Sequence, residues 1–248
     1  MIELKNASQF ERMRIAGRVV AETLALMREH VKPGVTTLEL DRIAEDYIRS
    51  QGAIPAFKGY NGFPATLCTS VNEQVVHGIP GLRTLESGDI ISIDCGAVIN
   101  GYVGDAAVTL PIGDVGEDIL KLLRVTEESL MLGIAQAKVG NRLYDVSYAV
   151  QTHVEASGFS VVRDYVGHGI GRAMHEDPQI PNYGKPGRGP RLEVGMALAI
   201  EPMVNMGTYE VQSLKDHWTV VTKDSRPSAH FEHTVAITEN GPEILTRC

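Results

Sequence analysis

An ionised carboxylate in an apolar run constrains a fold more than any other feature, because burying it costs several kcal/mol or more unless a cation or a hydrogen-bond network answers it. This chain carries three such acids: Asp94 in I-I-S-I-D-C-G-A-V, Glu201 in A-L-A-I-E-P-M-V and Glu232 in H-F-E-H-T-V. Asp105 in V-G-D-A-A-V follows close behind the first, and His168 stands among glycines in V-G-H-G-I-G. Two divalent cations would balance the four carboxylates, and a neutral imidazole would complete their shell. The expectation is a two-metal hydrolytic site, built by a fold that draws distant segments to one place.

With 248 residues, 43% of them hydrophobic, the chain can bury a large core in one domain spanning 1–248. A net charge of −8 argues against a dominant nucleic-acid or anionic-membrane partner. Cys68, Cys95 and Cys248 are too few and scattered for a disulfide framework, which favours a reducing compartment. The opening M-I-E-L-K-N-A-S-Q-F-E-R has no signal-peptide core, and no apolar run is long enough to span a membrane. A cytoplasmic protein is expected.

The chain repeats itself weakly at an offset of 106 to 107 residues. Lys32-Pro33-Gly34 and Gly52 are echoed by Lys138-Val139-Gly140 and Gly158, and L-E-S-G-D-I-I-S-I-D (85–94) by L-E-V-G-M-A-L-A-I-E (192–201). Each half reads as two helices followed by strands. Ser8 with Glu11, and Thr36 with Glu39, have capping-box spacing, and Pro33-Gly34 and Gly52 mark helix ends. Ile119–Ala137 and Leu143–Ala156 have helical periodicity. Strands are expected over Thr66–Val71, Ile90–Val98, Tyr102–Leu110, Ser160–Tyr165, Met196–Val204, His217–Val221 and Phe231–Ile237. The fold class is α+β, with a ligand cleft where two related halves meet.

Asn100-Gly101 is the clearest hairpin signal, since a type I′ turn needs positive φ at both central residues. That turn sets Gly96 opposite Asp105 and puts Asp94 one diagonal step away on the same face, with Gly96 leaving room above it. The glycines around His168 favour a bent strand or loop, and His175 follows in the same segment. Glu232 alternates with His230 and Thr234 along one strand face. His77 in V-V-H-G-I-P echoes the H-G-I at 168–170. Phe63, Cys68 and Trp218 are apolar enough to line a pocket, though core packing would explain any one of them.

Taken in order, N-E-Q-V-V-H-G-I-P, I-D-C-G-A-V-I-N-G-Y-V-G-D, G-H-G-I-G-R-A-M-H-E-D-P, I-E-P-M and F-E-H-T-V closely resemble the type I methionine aminopeptidases, over essentially the whole chain. The resemblance implies the pita-bread fold of creatinases and aminopeptidases: two pseudo-symmetric helix-helix-strand halves around a central antiparallel sheet. It implies removal of the N-terminal methionine from nascent polypeptides by metal-activated water attack on the first peptide bond, favouring small second residues. By the same likeness Asp94 would chelate one of two divalent ions (Co, Mn, Fe or Zn), Asp105 and Glu232 would bridge both, and His168 and Glu201 would bind the other. His77 and His175 would contact substrate, with Glu201 also shuttling a proton. Tyr60, Phe63, Cys68 and Trp218 fall where the family builds its methionine pocket, while Met174 stands where many relatives carry an aromatic. The expected partner is a nascent N-terminus, a setting that allows for the ribosome, and the expected state is a monomer needing neither nucleic acid nor membrane. The absence of a cysteine-rich extension and of a large insertion between Glu201 and Glu232 resembles the short bacterial form. An X-Pro aminopeptidase or prolidase is the nearest rival, and a pita-bread protein that binds protein or RNA without catalysis is the rival of another class.

Overall fold

A computed structural model describes residues 1–248, with helices α1 (Ala7–His30), α2 (Thr37–Ser50), α3 (Glu117–Gln136) and α4 (Leu143–Ala156). The first helix starts earlier than the Ser8–Glu11 spacing suggests. Asn6 is its cap: its side-chain oxygen accepts from the Gln9 amide at 3.0 Å, and Gln9 Oε1 accepts from the Asn6 amide at 2.7 Å. This reciprocal pair satisfies two orphan N–H groups, so Ser8 falls inside the first turn. The Thr36–Glu39 box forms as expected.

The duplication is written into the backbone. Shifting α2 by 106 residues reproduces the bounds of α4. The isolated bridge between Thr36 and Thr84 recurs between Arg142 and Arg191. Gly34 N donates to Leu85 O, as Gly140 N does to Leu192 O, and Leu85 N to Val35 O, as Leu192 N does to Asn141 O. Gly34 and Gly140 share positive φ values of 95° and 93°, which only glycine adopts readily.

The helices accompany a nine-stranded sheet whose strand pairings are antiparallel. Its central hairpin joins the strands Ile90–Ile99 and Tyr102–Pro111. One hairpin face gives Ile91, Ile93, Cys95, Ala106 and Val108 to the main core, together with Val20, Leu24 and Met27 of α1 and Leu122 and Ile134 of α3. The other face carries Asp94, Gly96 and Asp105. Period-two alternation thus divides the hairpin into a packed side and a chemical side.

Several strands are shorter than their apolar runs. Ser160–Tyr165 contributes only Ser160–Val161, and the strand near Trp218 starts at Val220. Met196–Val204 divides into Ala197–Ile200 and Met203–Asn205 around Glu201-Pro202, because proline has no N–H for the ladder. The facing run divides too, into Ser228–His230 and Glu232–Thr238, so His230 and Glu232 belong to different sheets.

Candidate metal and substrate pocket

Asn100 and Gly101 adopt φ of 53° and 75°, the type I′ turn. The register is that of the sequence reading, with Ile99 facing Tyr102, Gly96 facing Asp105 and Asp94 facing Ala107. Gly104 lets α1 press on the opposite face: a Cβ there would lie 2.8 Å from Ala16 C and Gly17 N. The V-G-D motif therefore seats a helix with its glycine and turns its acid into the pocket. Gly96 does not leave open room, contrary to expectation. A Cβ there would meet Phe57 Cε1 at 2.7 Å and Met174 Cε at 3.0 Å, so the missing side chain makes space for the pocket wall.

His168 lies in the short strand Gly167–Gly169, flanked by Ala197–Ile200 and Glu176–Ile180, with a bulge after it. Side chains at Gly167 and Gly169 would strike the carbonyls of Ala199 and Asp177. The imidazole's Nδ1–H donates to Gly169 O at 2.9 Å, leaving the Nε2 lone pair 3.8 Å from Asp105 Oδ2 and 3.7 Å from Glu201 Oε1. Glu201 leaves its strand at the proline break, and Glu232 pairs with Ala107, the residue that also faces Asp94.

All five acids and imidazoles named first line one cavity of about 200 Å³, together with His77, His175, Tyr60, Phe63, Cys68 and Trp218. Ligand atoms of Asp105, His168 and Glu232 all lie within 4.8 Å of one another. Asp94 Oδ1, Asp105 Oδ1 and Glu232 Oε1 are buried without a hydrogen-bond partner. Burial pushes the Asp94 carboxyl up to about 7 and Glu201 to about 8. Burial first, and then the neighbouring carboxylates, raises Asp105 and Glu232 well above the usual range. Desolvation also lowers the imidazoles, with His168 and His77 brought to about 4 and His175 shifted the same way. Neutral nitrogens beside orphaned carboxylate oxygens are the donor set that a divalent ion with mixed N and O preference takes, so the residues fit a metal.

The apolar side of the cavity is a shallow cup. Phe63 and Cys68 are buried, and Trp218 meets Phe63 edge-on at 5.1 Å between centroids. His77 stands edge-on to Trp218 at 6.5 Å, on a backbone with φ of 60° that non-glycine residues seldom adopt. At the mouth, Tyr60 stacks on His175, with its hydroxyl 2.9 Å from Nδ1. Met174 lines the pocket as well, which gives that position an aliphatic wall. Phe57 and Asn61 also line it, although nothing in their sequence context marks them. His230 is buried with Nε2 unpartnered, 3.5 Å from Glu201 Oε2. Its alternation with Glu232 was the available signal.

Comparison with known proteins agrees with this geometry. The model of metallopeptidase family M24 matches residues 11–239. A methionine aminopeptidase of Clostridium acetobutylicum is 59% identical, with all of both chains covered, and one of Clostridium perfringens is 61% identical over 99% of each. The crystal structure of a Thermotoga maritima methionine aminopeptidase superposes with a TM-score of 0.99 at 50% identity, covering all of both chains. A Bacillus anthracis Xaa-Pro dipeptidase shares the fold alone, with a TM-score of 0.79 at 20% identity over 62% of its length.

Proposed function

Because the chain belongs to metallopeptidase family M24, and within it to the methionine aminopeptidases, we propose that its pocket removes initiator methionine using two divalent ions held by Asp94, Asp105, His168, Glu201 and Glu232. The observation that carries this reading is the meeting of ligand atoms of Asp105, His168 and Glu232 within 4.8 Å of one another, in a pocket where Asp94 Oδ1, Asp105 Oδ1 and Glu232 Oε1 are buried without a hydrogen-bond partner. Asp94 would hold one ion, Asp105 and Glu232 both, and His168 with Glu201 the other. Bound ions supply an acidified water and a Lewis acid for the scissile carbonyl, and Co, Mn, Fe and Zn all suit the ligand set.

The chain's own groups do the rest. Phe63, Cys68 and Trp218 form an apolar cup for a thioether side chain, whose flexibility suits irregular walls. Held neutral by burial, His175 donates a hydrogen bond to the oxygen on which negative charge develops. His77, edge-on to Trp218 in the pocket wall, holds the peptide amide or the intermediate. Glu201, which lines the pocket beside His168, takes the water's proton and passes it to the leaving nitrogen. Tyr60 and His175 crowd the mouth, which favours a small second residue.

On the same reading, residues 1–248 are one metallopeptidase domain, acting as a cytoplasmic monomer on nascent chains at the ribosome. No helix is long and apolar enough to cross a membrane. The test is hydrolysis of Met-Ala-Ser against an Ala-Pro peptide, with and without chelator, alongside bound-metal analysis. The expected result is chelator-sensitive cleavage of the methionyl peptide only. Chelator-resistant cleavage, or preference for Ala-Pro, refutes the proposal.

A further inference from the structure

His175 and Met174 sit on the bend between the His168 strand and Glu176–Ile180, a segment with little ladder pairing of its own. Its internal ties include one backbone bond, from Gly171 N to Ala173 O at 3.2 Å. The segment is also tied outward, by Val103 N donating to Gly171 O at 2.9 Å and by Tyr60 at His175, and inward by the carboxylate that follows His175. Glu176 Oε1 accepts from the amides of Arg172 at 2.9 Å and Ala173 at 3.2 Å, closing the bend on itself. Its other oxygen, Oε2, pairs with Lys5 Nζ.

The Lys5–Glu176 pair is nearly dry, with side chains 2% and 12% exposed. Lys5 Nζ also donates to Glu3 O at 2.9 Å, and the Lys5 amide donates to Gly195 O at 2.7 Å. Gly195 opens the turn into the strand that delivers Glu201. A side chain at Gly171 would lie 2.5 Å from Lys5 Cε and 2.7 Å from Glu176 Oε1, so this glycine exists to admit the pair. A buried ammonium and carboxylate in this arrangement contribute little net stability, yet each needs the other in place. A contact of that kind is suited to fixing geometry.

We propose that Lys5 and Glu176 are positioning residues, a buried strut that holds His175 at the reacting carbonyl and registers its bend against the Gly195–Glu201 segment. This rests on the role given to His175 above. A misplacement of about 1 Å at such a group can cost on the order of 100-fold in rate without weakening ground-state binding.

The experiment measures kcat and KM on Met-Ala-Ser for Lys5→Met, Glu176→Gln and Lys5→Arg, each alone and combined with His175→Ala. Bound metal and Tm are recorded for all. The expected result is a kcat loss of roughly 10- to 100-fold in Lys5→Met and Glu176→Gln, with KM and metal content retained. Lys5→Arg should recover most of the rate. In the His175→Ala background Lys5→Met should cost little more, since residues acting as one unit are non-additive. Additive losses there, or a wild-type kcat in either folded single variant, overturn the strut. If Lys5→Met fails to fold, Glu176→Gln decides the question. A wild-type kcat for His175→Ala would instead overturn the role of His175, and the strut with it.

Discussion

Removing the metal should turn the pocket into a pH-dependent liability. The perturbation is a chelated protein carried from about pH 6.5, where histidine is neutral in the folded and largely in the unfolded chain, to pH 8. In the folded chain the Asp94 carboxyl is raised from 3.8 to about 7, and Glu201 from 4.5 to about 8, by burial. Across that window the folded protein keeps protons that the unfolded chain has released. The buried histidines, held below their ordinary value, act in the opposite sense only below about pH 6.5, so from there upward stability falls as pH rises through the folded carboxyl values. From about pH 6.5 up to the folded values, these shifts correspond to roughly 1 and 2 kcal/mol at 1.36 kcal/mol per pH unit. Because the pocket opens to water and its carboxyls titrate as one cluster, a combined loss of about 3 kcal/mol is the working figure. For a chain of this size that is a fall in Tm of about 6–12 °C. The assay is thermal unfolding of chelated protein at each pH, repeated with Mn²⁺, which should restore stability increasingly toward pH 8. Asp105→Asn should lose metal binding yet stabilise the chelated protein at pH 8, since one enforced charge is gone. A chelated protein as stable at pH 8 as at about pH 6.5, or destabilised at pH 8 by Asp105→Asn, would falsify the electrostatic account of the site.

Three further outcomes are expected. His175→Ala should lower kcat by about 100- to 1000-fold with bound metal unchanged by elemental analysis, as loss of one oxyanion donor does; loss of metal would make His175 a ligand instead. Gly104→Ala should destabilise the protein by about 1–3 kcal/mol in urea unfolding, because the new methyl meets Ala16 and Gly17 backbone; a neutral result would mean that α1 is free to shift. A norleucyl peptide should be cleaved with kcat/KM within about 200-fold of the methionyl one, since an apolar cup discriminates weakly by shape. A far larger preference would point to a polar contact with the sulfur.

Much of the site was legible because its signals are local. The turn at Asn100-Gly101 fixes the register from Ile90 to Pro111, and register alone brings Asp94 and Asp105 to one face. Glycines around His168 announced close backbone approach, and the collisions that a side chain would meet there give the reason. What stayed hidden depends on long-range packing. Phe57 and Met174 fill the space above Gly96 from segments distant in sequence, and no pattern within either segment encodes that meeting. The α1 cap is ambiguous in the sequence because Asn6-Gln9 and Ser8-Glu11 offer similar spacing two residues apart, and only the former pair satisfies the first amides.

The repeat also explains why one half presents its pocket acids differently from the other. In the first half, Ile90–Ile99 runs unbroken past Asp94, and its far end pairs with Ile54–Pro55. The same pairing recurs 106 to 107 residues on, where Val204 and Asn205 meet Val161 and Ser160. Yet the second strand is cut at Pro202, one residue after the equivalent of Asp94, which is Glu201. An unbroken strand keeps its acid's direction tied to the pleat. A strand that stops lets the next side chain leave the pleat, and Glu201 uses that freedom to approach both His168 and His230. The first half thus provides carboxylates of fixed position from a rigid hairpin, whereas the second provides one whose backbone is released from the ladder. The proton-carrying role proposed for Glu201 would need that latitude, whereas a bridging role would not, and the proline after Glu201 would then serve the chemistry as well as the fold.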